Sequence, residues 1–158
     1  MPAWVLDENV IKRSLEAACT KSAEDLDAAR VLGFVQDRGR WVFTHALRQR
    51  YLSNWKSRAC DAPLTIRMFQ SLRDLMWDSE RSTLLDDVPI VVGPYHDDDE
   101  FVVSAAAAAG SGAILVTNDG RLRDALARAH IPAAYGFSVV DTAGALVIQG
   151  SLALRDQN

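Results

Sequence analysis

Residues 94–122 constrain the fold of this 158-residue chain more than any other segment. The segment opens with four consecutive acids at 97–100, continues as an alanine-rich apolar stretch, and is interrupted by Gly-Ser-Gly at 110–112. A four-residue apolar run at 113–116 follows and ends in Thr-Asn-Asp at 117–119. This order predicts a helix, a turn and a buried strand with a polar end. Open α/β sheets bind ligands at the carboxyl ends of their strands, so Asp119 is a candidate site residue.

Short apolar runs alternate with helical patterns along the rest of the chain. Apolar runs predict strands at 3–6, 41–44, 89–92 and within 131–140. Apolar residues at helical spacing predict helices at 10–19, 23–35, 45–59, 64–79 and 120–129. The tail at 141–158 fits either a strand or a short helix. We therefore expect an α/β fold, a single-domain three-layer sandwich over 1–158 (core about 3–140) with a mainly parallel sheet and helices on both faces.

Charge is distributed unevenly along the sequence. The formal net charge is −4, which by itself argues weakly against a nucleic-acid binder. Residues 38–73 nevertheless contain eight Lys and Arg against one acid, whereas residues 74–100 contain nine acids against one Arg. This division suits a protein that holds a polyanion on one face and a cation on another, and it also suits two solvated helical faces of opposite sign.

The N-terminus and the cysteines bear on the compartment. The first residues show no basic leader followed by an apolar core, and no run approaches the ~18 apolar residues that a membrane span needs. The two cysteines, Cys19 and Cys60, have no zinc-site spacing, and we expect them to be buried free thiols in a reducing cytosol rather than a disulfide. The expectation is a soluble, cytoplasmic protein without a membrane partner.

Acids fall at equivalent places in the predicted fold. Asp7 follows the first strand, Asp98 or Asp99 stands at a helix start, and Asp119 follows a later strand. Because the carboxyl ends of parallel strands share one edge of the sheet, these carboxylates can meet in one pocket. Clustered carboxylates repel unless a hard dication lies between them, and oxygen ligands are what Mg²⁺ or Mn²⁺ prefers. Such a site supports hydrolysis of phosphodiester bonds.

Three motifs together resemble those of PIN domains. WVLDENV at 4–10 is similar to the family's first motif, and DDDEFVVSAAAAAGSGAILVTND at 97–119 is similar to its later motifs. FTHALRQRYLSNW at 43–55 resembles the strand and helix of the middle motif, with Thr44 at its start. The resemblance covers about 3–140. It implies a metal-dependent endoribonuclease of the VapC-like kind, often the toxin of a toxin-antitoxin pair, with RNA, an antitoxin protein and a second copy of the chain as partners.

The resemblance also assigns roles to individual residues. It implies that Asp7, Asp99 and Asp119 are catalytic carboxylates that bind Mg²⁺ or Mn²⁺, with Asp98 competing with Asp99 for the middle role. Phe101, two residues after Asp99, favours Asp99. Further residues are implied to orient these carboxylates by hydrogen bonds; they are Asn9 and Thr117.

The sequence departs from the family pattern at Arg50, which stands where the middle motif usually has a glutamate. Three hypotheses follow: the surplus acids Asp97, Asp98 and Glu100 replace the missing ligand, or Arg50 and Arg48 bind the substrate phosphate, or catalysis is lost and binding retained. The alternative function is therefore a degenerate PIN-like module that binds RNA or a protein partner without cleavage. A phosphatase with Asp7 as nucleophile ranks lower, because Asn9 stands where a second Asp would be required.

Overall fold

The structure, a computed structural model that describes residues 1–54 and 63–157, centres on one parallel β-sheet. Within the described residues the sheet has five strands: β1 Ala3–Leu6, β2 Arg40–Thr44, β3 Ser82–Leu85, β4 Ile114–Val116 and β5 Ser138–Val140. Their order across the sheet is β3-β2-β1-β4-β5, so β1 lies at the centre and β3 and β5 form the edges. Every pair of neighbours is parallel. The predicted α/β fold with a parallel sheet is confirmed.

Helices cover both faces of the sheet. The helices of the described residues are α1 Glu8–Thr20, α2 Ala23–Asp37, α3 His45–Asn54, α4 Pro63–Trp77, α5 Glu100–Ala109, α6 Gly120–Arg128, α7 Ile131–Tyr135 and α8 Thr142–Arg155, with a 3₁₀ turn at Asp97–Asp99 before α5. The chain steps outward from β1 to β3 and then returns through α5 to β4 and β5 on the other side. Since crossovers between parallel strands are right-handed, this reversal places α1 and α2 on one face and α5 on the other. Accordingly, α2 packs against α1 and α8, while α5 packs across β2, β1 and β4.

The central strand is apolar along its whole length because helices cover both its faces. All four residues of β1 are buried, and Trp4 lies opposite Trp41 of β2 and Ile114 of β4. Trp41 contacts the ring of Phe43 with centroids 5.1 Å apart and that of Tyr51 with centroids 5.6 Å apart. A run of buried residues of this kind is typical of a parallel sheet.

The predicted strand at 89–92 is wrong. Residues 86–94 contain no helix or strand, and the neighbour of β2 is instead β3, whose four residues pair with residues 41–44. Pro89 has no N–H to give to a ladder, and the N–H of Val91 donates to Ser104 Oγ of α5 at 2.9 Å. The apolar residues Ile90 and Val92 are exposed.

The C-terminal third also differs in part from expectation. The strand predicted within residues 131–140 is present as β5, and the short helix α7 precedes it. The ambiguous tail is helix α8, which Asp141 caps by accepting the N–H of Gly144 at Oδ1, 2.8 Å away. Ala145 of this helix is fully buried, so the apolar core continues beyond residue 140. The predicted helix at 45–59 is present as α3 as far as Asn54, and its remainder lies outside the described residues.

The cysteine expectation needs correction. Cys19 lies at the exposed end of α1 and is disulfide-bonded, so it is neither buried nor a free thiol. Cys60 lies outside the described residues. Disulfides are uncommon in the reducing cytosol, and the thiol argument for a cytosolic location therefore no longer holds. None of the described helices is both long enough and apolar enough to cross a bilayer.

Candidate functional site

The carboxyl ends of β1 and β4 bring Asp7, Thr117 and Asp119 together. The N–H of Asp7 donates to the carbonyl of Val116, 2.9 Å away, which extends the pairing of the two strands by one residue. Thr117 Oγ1 donates to Asp7 Oδ2 at 2.6 Å and accepts the N–H of Asp119 at 3.1 Å. Thr117 is fully buried and Asp7 is only 5% exposed. The predicted proximity of these residues follows directly from the adjacency of β1 and β4.

Asp119 is held in place by the helix that it begins. Its Oδ1 atom accepts the N–H groups of Arg121 at 2.9 Å and Leu122 at 3.2 Å, so it is the N-cap of α6. The two bonds use one carboxylate oxygen, and they fix the direction of the side chain at the edge of the sheet.

The acidic segment at 97–100 forms a turn before α5. His96 caps this turn, with Nδ1 accepting the N–H of Asp98 at 3.1 Å. Asp99 immediately precedes α5 and is partly buried, whereas Asp97 and Asp98 are exposed. Successive residues of a 3₁₀ turn are about 120° apart, so the three aspartates face different directions.

Electrostatics link Asp99 to the other two carboxylates. Burial raises the pKa of Asp7 from 3.8 to about 6; the hydrogen bond from Thr117 opposes this rise, and the charge of Asp99 adds to it. Burial and the charge of Asp119 likewise raise the pKa of Asp99. In the described part of the chain no salt bridge reaches Asp7, Asp99 or Asp119. Asp99 therefore lies between two like charges, those of Asp7 and Asp119, and the nearby His96 offsets only part of their effect on it.

Arg50 is held by two other acids. Its Nε donates to Glu8 Oε1 at 2.9 Å, its Nη2 lies 3.1 Å from Asp98 Oδ1, and its guanidinium carbon lies 4.8 Å from the centre of the Phe101 ring. Burial lowers the pKa of Arg50, but the hydrogen bond and charge of Glu8 and the charge of Asp98 outweigh this and raise it. Arg50 thus joins α1, α3 and the start of α5 beside the carboxylates.

These contacts separate Asp98 from Asp99. Asp98 pairs with Arg50, whereas the charge of Asp99 acts on Asp7 and that of Asp119 acts on Asp99. The geometry therefore favours Asp99 as the middle carboxylate, with Asp98 as the partner of the arginine.

The other predicted site residues lie at different distances from this centre. Asn9 is exposed on α1, and in the described hydrogen bonds its side chain does not reach the Asp7 carboxylate. Its side chain lines an adjacent cavity of about 450 Å³ that Asn118 and Asp119 also line. Arg48 does not accompany Arg50, because its guanidinium carbon lies 4.5 Å from the centre of the Trp77 ring. Residues 48 and 50 are about 200° apart around α3, so they face opposite sides of that helix.

Two contributors were not singled out from the sequence. Glu8 pairs with Arg50 across 42 residues of chain, and the buried Tyr51 hydroxyl donates to the carbonyl of Leu6 at the end of β1. Glu8 looks like an ordinary acid in the first turn of a helix, and Tyr51 looks like a core residue in an apolar stripe. The only sequence signal for Glu8 is its position next to Asp7, which brings any partner of Glu8 close to the candidate site.

The candidate metal ligands at this site are the carboxylates of three aspartates. Asp7, Asp99 and Asp119 provide oxygen only, and their mutual repulsion is what a bound dication relieves. Across residues 1–54 and 63–157, however, no three His, Cys, Asp or Glu side chains lie close enough together to form a ready-made cage. Mg²⁺ is usually held by one or two carboxylates with waters and substrate phosphates rather than by a complete protein cage. The chemistry of the site fits such a partial set.

Comparisons of this chain with protein-family models, with curated proteins and with solved structures find no match. The family interpretation therefore depends on the three sequence motifs. The chemical interpretation depends on the contacts among Asp7, Thr117, Asp99 and Asp119.

Proposed function

We propose that this chain is a metal-dependent endoribonuclease that hydrolyses RNA phosphodiester bonds, as the PIN-domain family that its motifs resemble does. The observation that carries the proposal is the buried, unpaired Asp7 carboxylate, which Thr117 orients and Asp99 repels at the carboxyl edge of the sheet. Uncompensated carboxylates at this edge are costly for folding, and a metal-binding role explains why they stand together.

Each residue of the candidate site has its own role in this proposal. Asp7, Asp99 and Asp119 would hold Mg²⁺ or Mn²⁺ together with water and the substrate phosphate, and the metal would supply Lewis acidity toward the phosphate and a low-pKa water as nucleophile. Thr117 fixes the Asp7 carboxylate by donating to one of its oxygens, and the N-terminus of α6 fixes Asp119. Arg50 holds Glu8 and Asp98 beside the site.

The biological setting follows from the same resemblance. A role as the toxin of a toxin-antitoxin pair would add an antitoxin protein as partner, and a homodimer and a cytoplasmic location belong to the same proposal. The disulfide at Cys19 is the observation that opposes the cytoplasmic location.

Metal dependence is the direct test of this function. The purified protein is expected to cleave end-labelled single-stranded RNA in Mg²⁺ or Mn²⁺, to stop in excess chelator, and to resume when the metal is restored, because three repelling carboxylates cannot hold the phosphate unaided. Gel analysis of the products measures this, with Asp119→Asn as the inactive control. Equal cleavage with and without chelator, or by Asp119→Asn, would refute the proposal.

A second candidate is a PIN-like module that binds RNA or a protein without cutting. Arg50 favours it, because a guanidinium paired with Glu8 and Asp98 places a fixed positive charge next to the carboxylates and weakens their attraction for a dication. Among the described residues no three potential metal ligands lie close together, and this agrees with a module that does not cleave RNA.

Arg50→Glu distinguishes the two candidates. The substitution changes the local charge by two units and is expected to tighten Mn²⁺ binding at least about tenfold in calorimetry. Arg30→Glu is the matched control, since Arg30 is exposed on α2 and pairs only with Asp27 among the described residues. Measurable Mn²⁺ binding by the unaltered chain supports the nuclease. Mn²⁺ binding that is measurable only in Arg50→Glu supports the module that binds without cutting. Equal effects of the two substitutions would show that Arg50 does not control the site.

A further inference from the structure

A second cleft lies beside the edge strand β3, apart from the carboxylates. Trp77, the last residue of α4, is 56% exposed, whereas Trp4 and Trp41 are fully buried in the core. The guanidinium of Arg48 lies over the Trp77 ring, 4.5 Å from its centre. The cleft has a volume of about 440 Å³ and is lined by Arg48, Met76, Trp77, Ser79, Ser82, Thr83 and Leu84.

One buried donor in this cleft, on Arg48, has no partner in the described part of the chain. Arg48 Nε is buried there without a hydrogen bond. β3 pairs with β2 on one side only, so the backbone N–H and C=O groups on its other side face outward. A buried donor without a partner costs folding free energy, which a bound ligand with an acceptor would offset.

We propose that this cleft binds a nucleobase of single-stranded RNA, stacked on Trp77, with Arg48 on the edge of the base or on its phosphate. The inference takes RNA as the ligand from the proposed function. A planar aromatic ring with an adjoining guanidinium is the arrangement on which bases stack, and backbone groups at the rim can bond to base edges. A nucleobase fits easily within this volume.

Arg40 is the basic side chain at the rim of the cleft that can meet a phosphate, and its Nε donates to Thr83 Oγ1 at 3.3 Å. Arg73 lies one helical turn before Trp77 but pairs with Asp74 at 3.7 Å. Two further acids, Asp78 and Glu80, lie in the α4–β3 turn, where Asp78 Oδ1 accepts the N–H of Glu80. The charge around the cleft is therefore mixed, and the positive charge available to a ligand comes from Arg48 and Arg40. An extended peptide is a weaker candidate, because the four residues of β3 offer few backbone bonds and would leave the stacked pair unused.

The cleft and the carboxylates can act on one RNA strand. Arg48 and Arg50 project to opposite sides of α3, a helix about 10–12 Å across with its side chains. A base in the cleft would therefore belong to a nucleotide close to the one at the carboxylates. This site would anchor the strand and take no part in the chemistry.

Binding of a fluorescein-labelled 12-nucleotide oligo-U RNA, measured by anisotropy in chelator so that no cleavage occurs, tests the inference. Trp77→Ala is expected to weaken binding roughly five- to 150-fold, the range for loss of one stacked base. Trp77→Phe keeps a ring and is expected to stay within about threefold. If the guanidinium of Arg48 contacts an RNA phosphate, Arg48→Gln should lower the slope of log affinity against log salt concentration by the equivalent of about one phosphate contact. Val147→Ala, an exposed apolar position on α8, is the control and should bind as the unaltered chain does.

Tryptophan fluorescence gives a second measurement, which compares the unaltered chain with the conservative variant Trp77→Phe instead of the truncation to alanine. RNA should quench the emission of the unaltered chain, and most of that quenching should disappear in Trp77→Phe. Unchanged affinity in Trp77→Ala, or quenching that persists in Trp77→Phe, would overturn the inference. The inference would also be overturned if Trp77→Ala abolished self-association in analytical sedimentation and left the RNA affinity unchanged. The cleft would then be an interface between protein chains.

The outcomes for the cleft and for the nuclease are independent. Trp77-dependent binding by a chain that cuts nothing in Mg²⁺ would support the cleft and refute the nuclease. Metal-dependent cleavage by a chain whose RNA affinity does not change in Trp77→Ala would support the nuclease and refute the cleft. A chain that binds no RNA at all refutes the cleft.

Discussion

Asp99→Asn is expected to lower the rate of metal-dependent RNA cleavage by more than about 100-fold, whereas Asp98→Asn should lower it by less than about fivefold. The two residues are adjacent and chemically identical, and in the sequence only the spacing from Asp99 to Phe101 favours Asp99. Their contacts assign these effects, because Asp99 lies in the field of Asp7 and Asp119 while Asp98 pairs with Arg50.

The expected sizes come from what each side chain does. Loss of Asp99 removes a proposed metal ligand, which should exceed the 10- to 100-fold typical of residues that only orient a ligand. Asp98 is mostly exposed, and an exposed ion pair contributes roughly 0.2–1 kcal/mol, equivalent to at most about fivefold. Its loss frees one side of Arg50 and leaves the pair with Glu8 in place.

Single-turnover cleavage of labelled RNA at saturating Mn²⁺ measures both effects, and calorimetry measures Mn²⁺ affinity without reference to activity. Asp97→Asn is the control, because Asp97 is an exposed acid of the same turn. A larger loss for Asp98→Asn than for Asp99→Asn would show that the assignment is reversed. Equal small losses would exclude this turn from the metal site.

The parts of the fold that local patterns determine were predictable from the sequence. Three short apolar runs were expected as strands and are β1, β2 and β4, because buried parallel strands have no polar alternation to obscure them. Ser22, a residue type that commonly caps helices, directly precedes α2, and its Oγ accepts the N–H of Asp25 at 3.2 Å. β3 was missed because its sequence, Ser-Thr-Leu-Leu, is less apolar than the run at 89–92 that Pro89 excludes.

The candidate site was predictable where sheet geometry decides it. Asp7 and Asp119 follow strands that are neighbours in the sheet, and parallel strands end at the same edge. The pairing of Arg50 with Glu8 was not predictable, because it depends on how α3 is rotated against α1 after the chain has crossed the sheet. The choice between Asp98 and Asp99 likewise depends on the rotation of one 3₁₀ turn, which residue types do not specify.

The second large effect concerns stability. Asp7→Asn is expected to raise the free energy of unfolding of the metal-free protein by about 3 kcal/mol above pH 6 and by almost nothing well below pH 3.8. Burial raises the folded pKa of Asp7 to about 6 from 3.8, a difference of about two units at roughly 1.4 kcal/mol each. Asparagine has no charge to desolvate, and its Oδ1 can still accept the hydrogen bond from Thr117.

The sign follows from which state binds the proton more tightly. Well below pH 3.8 Asp7 is protonated in both the folded and the unfolded chain and costs nothing. Between pH 4 and 6 the unfolded chain ionises first, so the stability of the unaltered protein falls as pH rises; above pH 6 both states are ionised and the deficit stays constant. The stabilising effect of Asp7→Asn must therefore appear across this window and then level off.

Urea unfolding in chelator at about pH 4 and about pH 7.5 measures this difference, with the disulfide kept oxidised. Asp97→Asn, which removes an exposed charge, should change stability by less than about 0.5 kcal/mol at either pH. At the higher pH, Mn²⁺ should reduce the difference in free energy of unfolding between Asp7→Asn and the unaltered chain, because it stabilises only the chain that retains the buried carboxylate. A gain that is the same at both pH values would mean that Asp7 is not held as a strained buried anion. The electrostatic reason for placing a cation beside Asp7 would then be lost, whatever the cleavage assays showed.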